Sequence, residues 1–134
     1  MKLQVFYIGK PRSKPLNEAG AEYVKRLGRY CRFELKEIKA EAAIEDDSKV
    51  LHVALDPLGE PMSSKQLASL VESSGRDIAF YIGGADGFSD KFRSSADRLL
   101  SLSKMTLPHE LARVVLLEQL YRAFAIMGGH PYAK

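Results

Sequence analysis

A chain of 134 residues that is 46% hydrophobic and 28% charged has a globular composition, which excludes a mainly disordered protein and predicts one domain over residues 1–134. No apolar run approaches a membrane span. The lone Cys31 and three scattered histidines exclude an internal disulfide and offer no zinc-ligand spacing, so no membrane contact and no metal are expected. The net charge of +3 is uneven: residues 1–40 hold ten Lys/Arg against four Asp/Glu, and residues 41–134 hold ten against thirteen. A basic first part is either the footprint of a polyanion or a solvated face.

In chain order, Met1 to Ile8 alternates apolar residues on both faces, which predicts a first strand covered on two sides. It runs straight into Gly9-Lys10-Pro11 with no signal-peptide cleavage pattern, so a cytoplasmic protein is expected. Residues 9–15 form a loop carrying Lys10, Arg12 and Lys14. A helix follows from about Leu16 to Leu27, in which Glu22 and Arg26 are spaced for an i,i+4 pair. Cys31 falls at a helix-to-strand junction and reads as a half-buried inert thiol. Arg32 to Lys39 predicts a second strand, and Val50 to Leu55 a third, buried one. The acidic connector between them is near the minimum for a parallel crossover. Either it is a minimal crossover or the two strands are not neighbours. His52, in mid-strand, reads as a hydrogen-bonded core residue rather than a ligand.

Asp56 to Pro61 reads as a turn-rich loop, with Ser63 and Ser64 as N-cap candidates for a helix through Leu67, Leu70 and Val71. Ile78 to Ile82 predicts a fourth strand, emptying into Gly83-Gly84-Ala85-Asp86-Gly87. Ser89 then caps a helix carrying Phe92, Ala96 and Leu99, and Leu100 to Met105 predicts a fifth strand. From His109 or Glu110 to Met127 apolar residues crowd almost every turn, which predicts a helix that is central or packed on a second copy. Alternating strands and helices give an α/β class with a mostly parallel sheet flanked by helices.

Loops at the carboxyl ends of parallel strands are where ligands bind, and two such loops fall in succession here. The Gly83–Gly87 run lacks both the dinucleotide fingerprint and the P-loop pattern. Its glycines suit close backbone approach to a ligand and suit a plain tight turn equally. Leu102 to Pro108 reads the same way, as a ligand loop or as a strand exit with Pro108 at a helix start.

Taken together, Phe80–Gly87, Leu102–His109, Leu120-Tyr121-Arg122-Ala123 and His130-Pro131-Tyr132, with Met1-Lys2-Leu3 and Leu55-Asp56, resemble the ribosomal RNA large subunit methyltransferase H family of SPOUT enzymes. The resemblance spans nearly the whole chain. It implies a cytoplasmic homodimer with a C-terminal trefoil knot, a feature periodicity cannot show and true knots make rare. It also implies S-adenosylmethionine as cofactor and methylation of N3 of a pseudouridine in large-subunit (23S) ribosomal RNA, free or in the assembled ribosome. The cofactor contacts it implies are Leu55, Gly83, Gly84, Leu102, Ser103, Lys104, Met105, Thr106, Leu107 and Pro108. Lys10, Arg12 and Lys14 are the expected RNA contacts.

Methyl transfer to N3 needs alignment and the loss of a proton. The candidates are His130, Tyr132, Arg122 and His109, with His130 expected as proton acceptor on a tail that closes over the pocket. Arg122 suits a phosphate or a uracil-type anion, and His109 serves equally as a helix cap. Two departures from the family bear on turnover. The segment Ala40–Lys49 is shorter than the family's, and the tail has Gly129 and Ala133 where the family commonly has Asn and a second His. The alternative function is therefore an RNA- or ribosome-binding module that keeps the pocket without turnover.

Overall fold

The computed structural model describes residues 1–133, so Lys134 lies outside the described residues. Its strands are β1 (Lys2–Ile8), β2 (Arg32–Ile38), β3 (Leu51–Pro61), β4 (Ile78–Ile82) and β5 (Arg98–Ser101). The helices are α1 (Lys14–Leu27), α2 (Ser64–Ser73), α3 (Asp90–Ser95) and α4 (His109–Met127). The strands form one sheet in the order β2-β1-β4-β3-β5, every pairing parallel. β2 and β3 are thus not neighbours, because β1 and β4 lie between them, and the connector faces no minimum length for adjacent strands.

Alternate strand residues point to opposite faces. Leu3 and Val5, Leu51 and Val53, and Ile78, Phe80 and Ile82 meet Leu27 of α1, Leu67 and Val71 of α2, and Leu116, Leu117 and Leu120 of α4 in one core. Each such side chain removed from water contributes roughly 1.5–3 kcal/mol, which makes this the stabilising face. α4 needs its unusual apolar breadth because it packs between α1 and α2 and against β4 and the tail. No α4 residue is fully exposed.

The other face is built differently. Phe6, Tyr81 and His52 stack side by side across β1, β4 and β3, with ring centroids 5.5 and 5.7 Å apart, and Phe92 of α3 meets Tyr81 edge-on. His52 donates Nε2–H to the Asp47 carbonyl at 2.7 Å, so its Nδ1 accepts the Tyr81 hydroxyl at 2.6 Å. It is the hydrogen-bonded residue the sequence suggests. Burial pushes the Tyr81 hydroxyl far above the ordinary tyrosine range. The connector from 39 to 50 covers this face, tied down where Glu41 accepts the Ser89 N–H and hydroxyl at 2.6 and 2.7 Å.

Local signals account for most element ends. Ser63 and Gln66 close a reciprocal capping box on α2, and Ser89 caps α3. Four expectations shift. α1 begins at Lys14 with Pro15 in its first turn, where a missing N–H costs nothing. α3 stops at Ser95, and Leu99 belongs to β5, which ends at Ser101 and leaves Leu102–Pro108 entirely as loop. Asp56–Pro61 is an irregular continuation of β3, whose register on β5 jumps between Leu55 and Glu60. Gly59 permits this, since a Cβ there would lie 2.7 Å from the Leu99 carbonyl carbon and oxygen. Two expectations hold as written: Arg26 and Glu22 pair at 3.0 Å, and Cys31 is half-buried, with burial pushing its thiol pKa up.

Candidate active site at the carboxyl edge of the sheet

The carboxyl ends of β3, β4 and β5 open into a cavity of about 500 Å³ bounded by the Gly83–Gly87 loop, the Leu102–Pro108 loop and the first turn of α4. That volume suits a drug-sized ligand. The sequence brings these walls together because β4 is flanked by β3, and β3 by β5, in parallel. Three successive strand exits therefore share one edge.

Backbone geometry sets each wall. Gly87, at φ 71°, returns its N–H to the Gly84 carbonyl at 3.0 Å. A Cβ on Gly83 would come within 3.1 Å of the Gly87 carbonyl carbon, so any larger residue there would push the loop open by a few tenths of an ångström. In the second loop, the Ser103 hydroxyl accepts the Met105 N–H at 2.9 Å and the Ser101 hydroxyl donates to the Ser103 carbonyl at 3.0 Å. On the β3 wall, Asp56 accepts the Leu58 N–H at 2.8 Å and forms an ion pair with Arg93 of α3. The buried Arg93 Nε–H has no well-directed acceptor.

Of the expected cofactor contacts, Leu55, Gly83, Gly84, Leu102, Ser103, Met105, Thr106, Leu107 and Pro108 line the cavity. Lys104 does not; it points outward from the same loop, exposed. The apolar walls are Leu55, Ile82, Leu100, Leu102 and Leu107, and Met105 stands 79% exposed at the rim.

Among the expected catalytic residues only His109 lines this cavity. Arg122, His130 and Tyr132 gather along the later half of α4. Glu118 accepts Arg122 Nε–H and Nη2–H at 3.1 and 2.7 Å and the Tyr132 hydroxyl at 2.7 Å, while the Tyr23 and Tyr132 hydroxyls are 3.3 Å apart. Arg122 also stacks on the Tyr132 ring, and Tyr132 packs edge-on against Tyr121. The Glu118 bond raises the Arg122 pKa, and desolvation, then the Tyr23 and Glu118 bonds, raise that of Tyr132. His130 is exposed, its Nδ1 accepting the Tyr132 N–H at 3.1 Å. Glu118 lies nine residues beyond His109, about 13 Å along the helix axis. In this chain the tail is docked on α4 and does not close over the cavity.

The expected RNA contacts fare differently. Lys10 and Arg12 are exposed on the loop leaving β1 and Lys14 is exposed at the first residue of α1, and this segment abuts the first turn of α4. One Glu110 oxygen accepts the Arg12 and Ser13 N–H groups at 2.7 and 2.9 Å. The Ser13 bond, then that of Arg12, holds the Glu110 carboxyl below the usual range despite some desolvation. Arg113, 4% exposed, donates to Asn17 at 2.6 Å and lies 4.5 Å from the Tyr7 ring centroid. Sequence reasoning passed over Glu110, Arg113 and Glu118. Their signal is present, since a charge in so apolar a helix must find a partner.

The chain is similar to known proteins along its whole length. The sequence family described as "Predicted SPOUT methyltransferase" matches residues 1–133. Proteins named ribosomal RNA large subunit methyltransferase H from Solibacter usitatus and Koribacter versatilis are each 42% identical, with 100% of both chains covered for the first and 98% and 97% for the second. Among solved structures, a probable methylase family protein from Haemophilus influenzae superposes with a TM-score of 0.65 at 12% identity, over 95% of this chain and 68% of that one. The SpoU methyltransferase AviRb from Streptomyces viridochromogenes, solved in complex with AdoMet, gives 0.55 at 13%, over 90% and 57%. With matches that run from end to end, the chain belongs to the ribosomal RNA large subunit methyltransferase H family of SPOUT methyltransferases.

Proposed function

We propose that this chain is an S-adenosylmethionine-dependent methyltransferase acting on N3 of a pseudouridine in large-subunit (23S) ribosomal RNA. The observation that carries the reading is the meeting of both strand-exit loops in one cavity of about 500 Å³, with three exposed cations on the neighbouring segment. The lining fits a nucleoside cofactor: Leu55, Leu102 and Leu107 would supply apolar walls for an adenine, and the glycine loop would offer it bare backbone. When bound, S-adenosylmethionine supplies an electrophilic methyl group. The chain's residues orient the acceptor base, exclude water and take up the proton that N3 gives up. His109, on the cavity wall, is the imidazole available for that proton within one chain.

The homodimer belongs to the same reading. Because the tail lies along α4, His130 and Tyr132 can serve methyl transfer only where a second copy brings a tail to a cavity. A second reading, an RNA-binding module without turnover, is favoured by one observation: Tyr132 and Arg122 are both engaged by Glu118. Isothermal titration with S-adenosylmethionine and transfer of labelled methyl into large-subunit ribosomal RNA decide between them. We expect micromolar cofactor binding and a methyl group located by mass spectrometry on N3 of a pseudouridine. Cofactor and RNA binding without transfer would leave the second reading standing, and no cofactor binding would remove both.

A further inference from the structure

The loop leaving β1 combines free cations with a backbone held from two sides. It departs through Gly9 at φ 105° and ends at Ser13, the N-cap of α1. Between these points the backbone is gripped by α4 and α1. Glu110 takes the N–H groups of Arg12 and Ser13. On the opposite side the Asn17 amide donates to the Pro11 carbonyl at 3.3 Å, and buried Arg113 donates to the Asn17 side-chain oxygen at 2.6 Å. The loop is therefore fixed to the same turn of α4 that presents His109 to the cavity.

The disposition of charge is the informative part. Glu110 reaches this segment through its Oε1, which accepts two backbone N–H groups and no cationic side chain. Among the described residues none of Lys10, Arg12 and Lys14 forms an ion pair, although seven ion pairs occur elsewhere. Pro11 and Ser13 are half-buried while the three cations are exposed, so alternation along the loop turns every positive side chain outward. A carboxylate accepting two N–H bonds fixes a loop far better than a surface ion pair, which contributes little and is screened by salt.

We infer that Glu110 is a positioning residue for RNA: it locks the loop from Lys10 to Ser13 and the start of α1 beside the cavity, so that the cations Lys10, Arg12 and Lys14 meet phosphates in fixed register with the transferring methyl group. This rests on the methyltransferase reading for the methyl group, but its first half concerns RNA binding alone. Ordering the loop before RNA arrives removes an entropic cost from binding. A flexible loop of equal charge would bind the same phosphates more weakly.

The test is a double-mutant cycle on affinity for a large-subunit ribosomal RNA transcript, with S-adenosylmethionine titration alongside. Glu110→Ala should weaken RNA binding about tenfold, while Glu110→Gln, which keeps an oxygen for the two N–H groups, recovers part of the loss. Replacing Lys10, Arg12 and Lys14 together with Gln should flatten the salt dependence by about two log units per decade, the value for three contacts to single-stranded phosphates. In that triple background Glu110→Ala should have no further effect, because the cations it positions are gone. Cofactor affinity should stay within a few-fold throughout. Full additivity of the two changes, or Glu110→Ala binding RNA as the parent does, overturns the inference. If the parent binds RNA but transfers no methyl, the methyltransferase reading fails and the cycle still decides the role of Glu110.

Discussion

The two ends of α4 do opposite work. Its first turn stands at the cavity, where short-range contacts hold the walls: the glycine turn at Gly83–Gly87, the Ser103 hydroxyl on the Met105 N–H, the Gly59 contact with β5 and the Asp56–Arg93 ion pair. Its later half holds the tail through titratable side chains converging on Glu118. The tail is held by several contacts at once: the Tyr132 hydroxyl to Glu118 and Tyr23, the Tyr121 ring, and the His130 N–H on the Ala125 carbonyl at 2.8 Å. The cavity end is thus built from contiguous loops at strand exits, and the tail end from side chains that meet across α1, α4 and the tail.

The change expected to act most strongly hits both ends at once. Leu117 is fully buried between α1 and the sheet, and its side chain lies 3.5 Å from where a Cβ on Gly20 would be. Leu117→Ala should cost about 2–5 kcal/mol, measured by urea unfolding. A charged residue there tests folding and not assembly, because this leucine is already covered within one chain. The proposed homodimer is better probed at half-exposed Leu111, Val115 or Ile126.

Gly59→Ala should separate the two ends. The added methyl needs 2.7 Å from the Leu99 backbone, which cannot move aside like a flexible side chain. The expected cost is about 1–3 kcal/mol, as for overpacking generally. Leu55, Leu100 and Leu102 flank this contact and line the cavity, so S-adenosylmethionine affinity should fall while the Tyr132 environment stays intact. Tail signals in an NMR spectrum that moved as much as cavity signals would mean the ends are not independent.

These two positions also mark what the sequence shows and what it hides. The cavity was legible because its walls are contiguous runs, each written within a few residues of a strand end. β4 and the core stripe of α4 were legible for the same reason. Gly59 was misread because Pro57, Gly59 and Pro61 are turn residues by local preference, and only the proximity of Leu99, forty residues on, makes them a strand. Leu99 itself was assigned to a helix because Phe92, Ala96 and Leu99 keep a helical spacing that α3 abandons at Ser95. The docked tail was hidden because Tyr132 finds Tyr23 at a separation of 109 residues. The grip on the basic loop spans 97 and 98 residues. Pairings at such range leave no local pattern.

A smaller effect should come from Glu118→Gln, which acts on the tail alone. Desolvation, the Tyr23 bond and Glu118 together hold the Tyr132 hydroxyl far above its usual value of about 10. With Glu118 neutral, tyrosinate absorbance should report a lower midpoint for one tyrosine, with burial retaining part of the shift. Stability should drop by about 1 kcal/mol, since the pair is only partly exposed but Gln keeps an acceptor oxygen for the Tyr132 hydroxyl. Cofactor affinity should not move. An unchanged tyrosine titration would show that Glu118 does not hold the tail.

The smallest effect belongs to the other end and concerns pH. The Ser13 and Arg12 N–H groups favour the charged form of Glu110, so its folded-state pKa lies below the unfolded value of about 4.3. A depressed carboxyl pKa contributes stability that is fully present above the unfolded value and is lost as pH falls through the folded one. The thermal midpoint of the parent should therefore exceed that of Glu110→Gln by a constant margin from neutrality down to about pH 5.5, and the margin should close as pH falls through the acid range. The neighbouring groups on α4, Arg113 first and then His109, also favour the charged carboxylate, so neither reverses the sign. Hydrogen exchange at the Arg12 and Ser13 amides gives a local check: protection in the parent should fall as the margin closes. A margin unchanged at pH 3 would mean that the geometry of the oxygen, and not its charge, holds the loop.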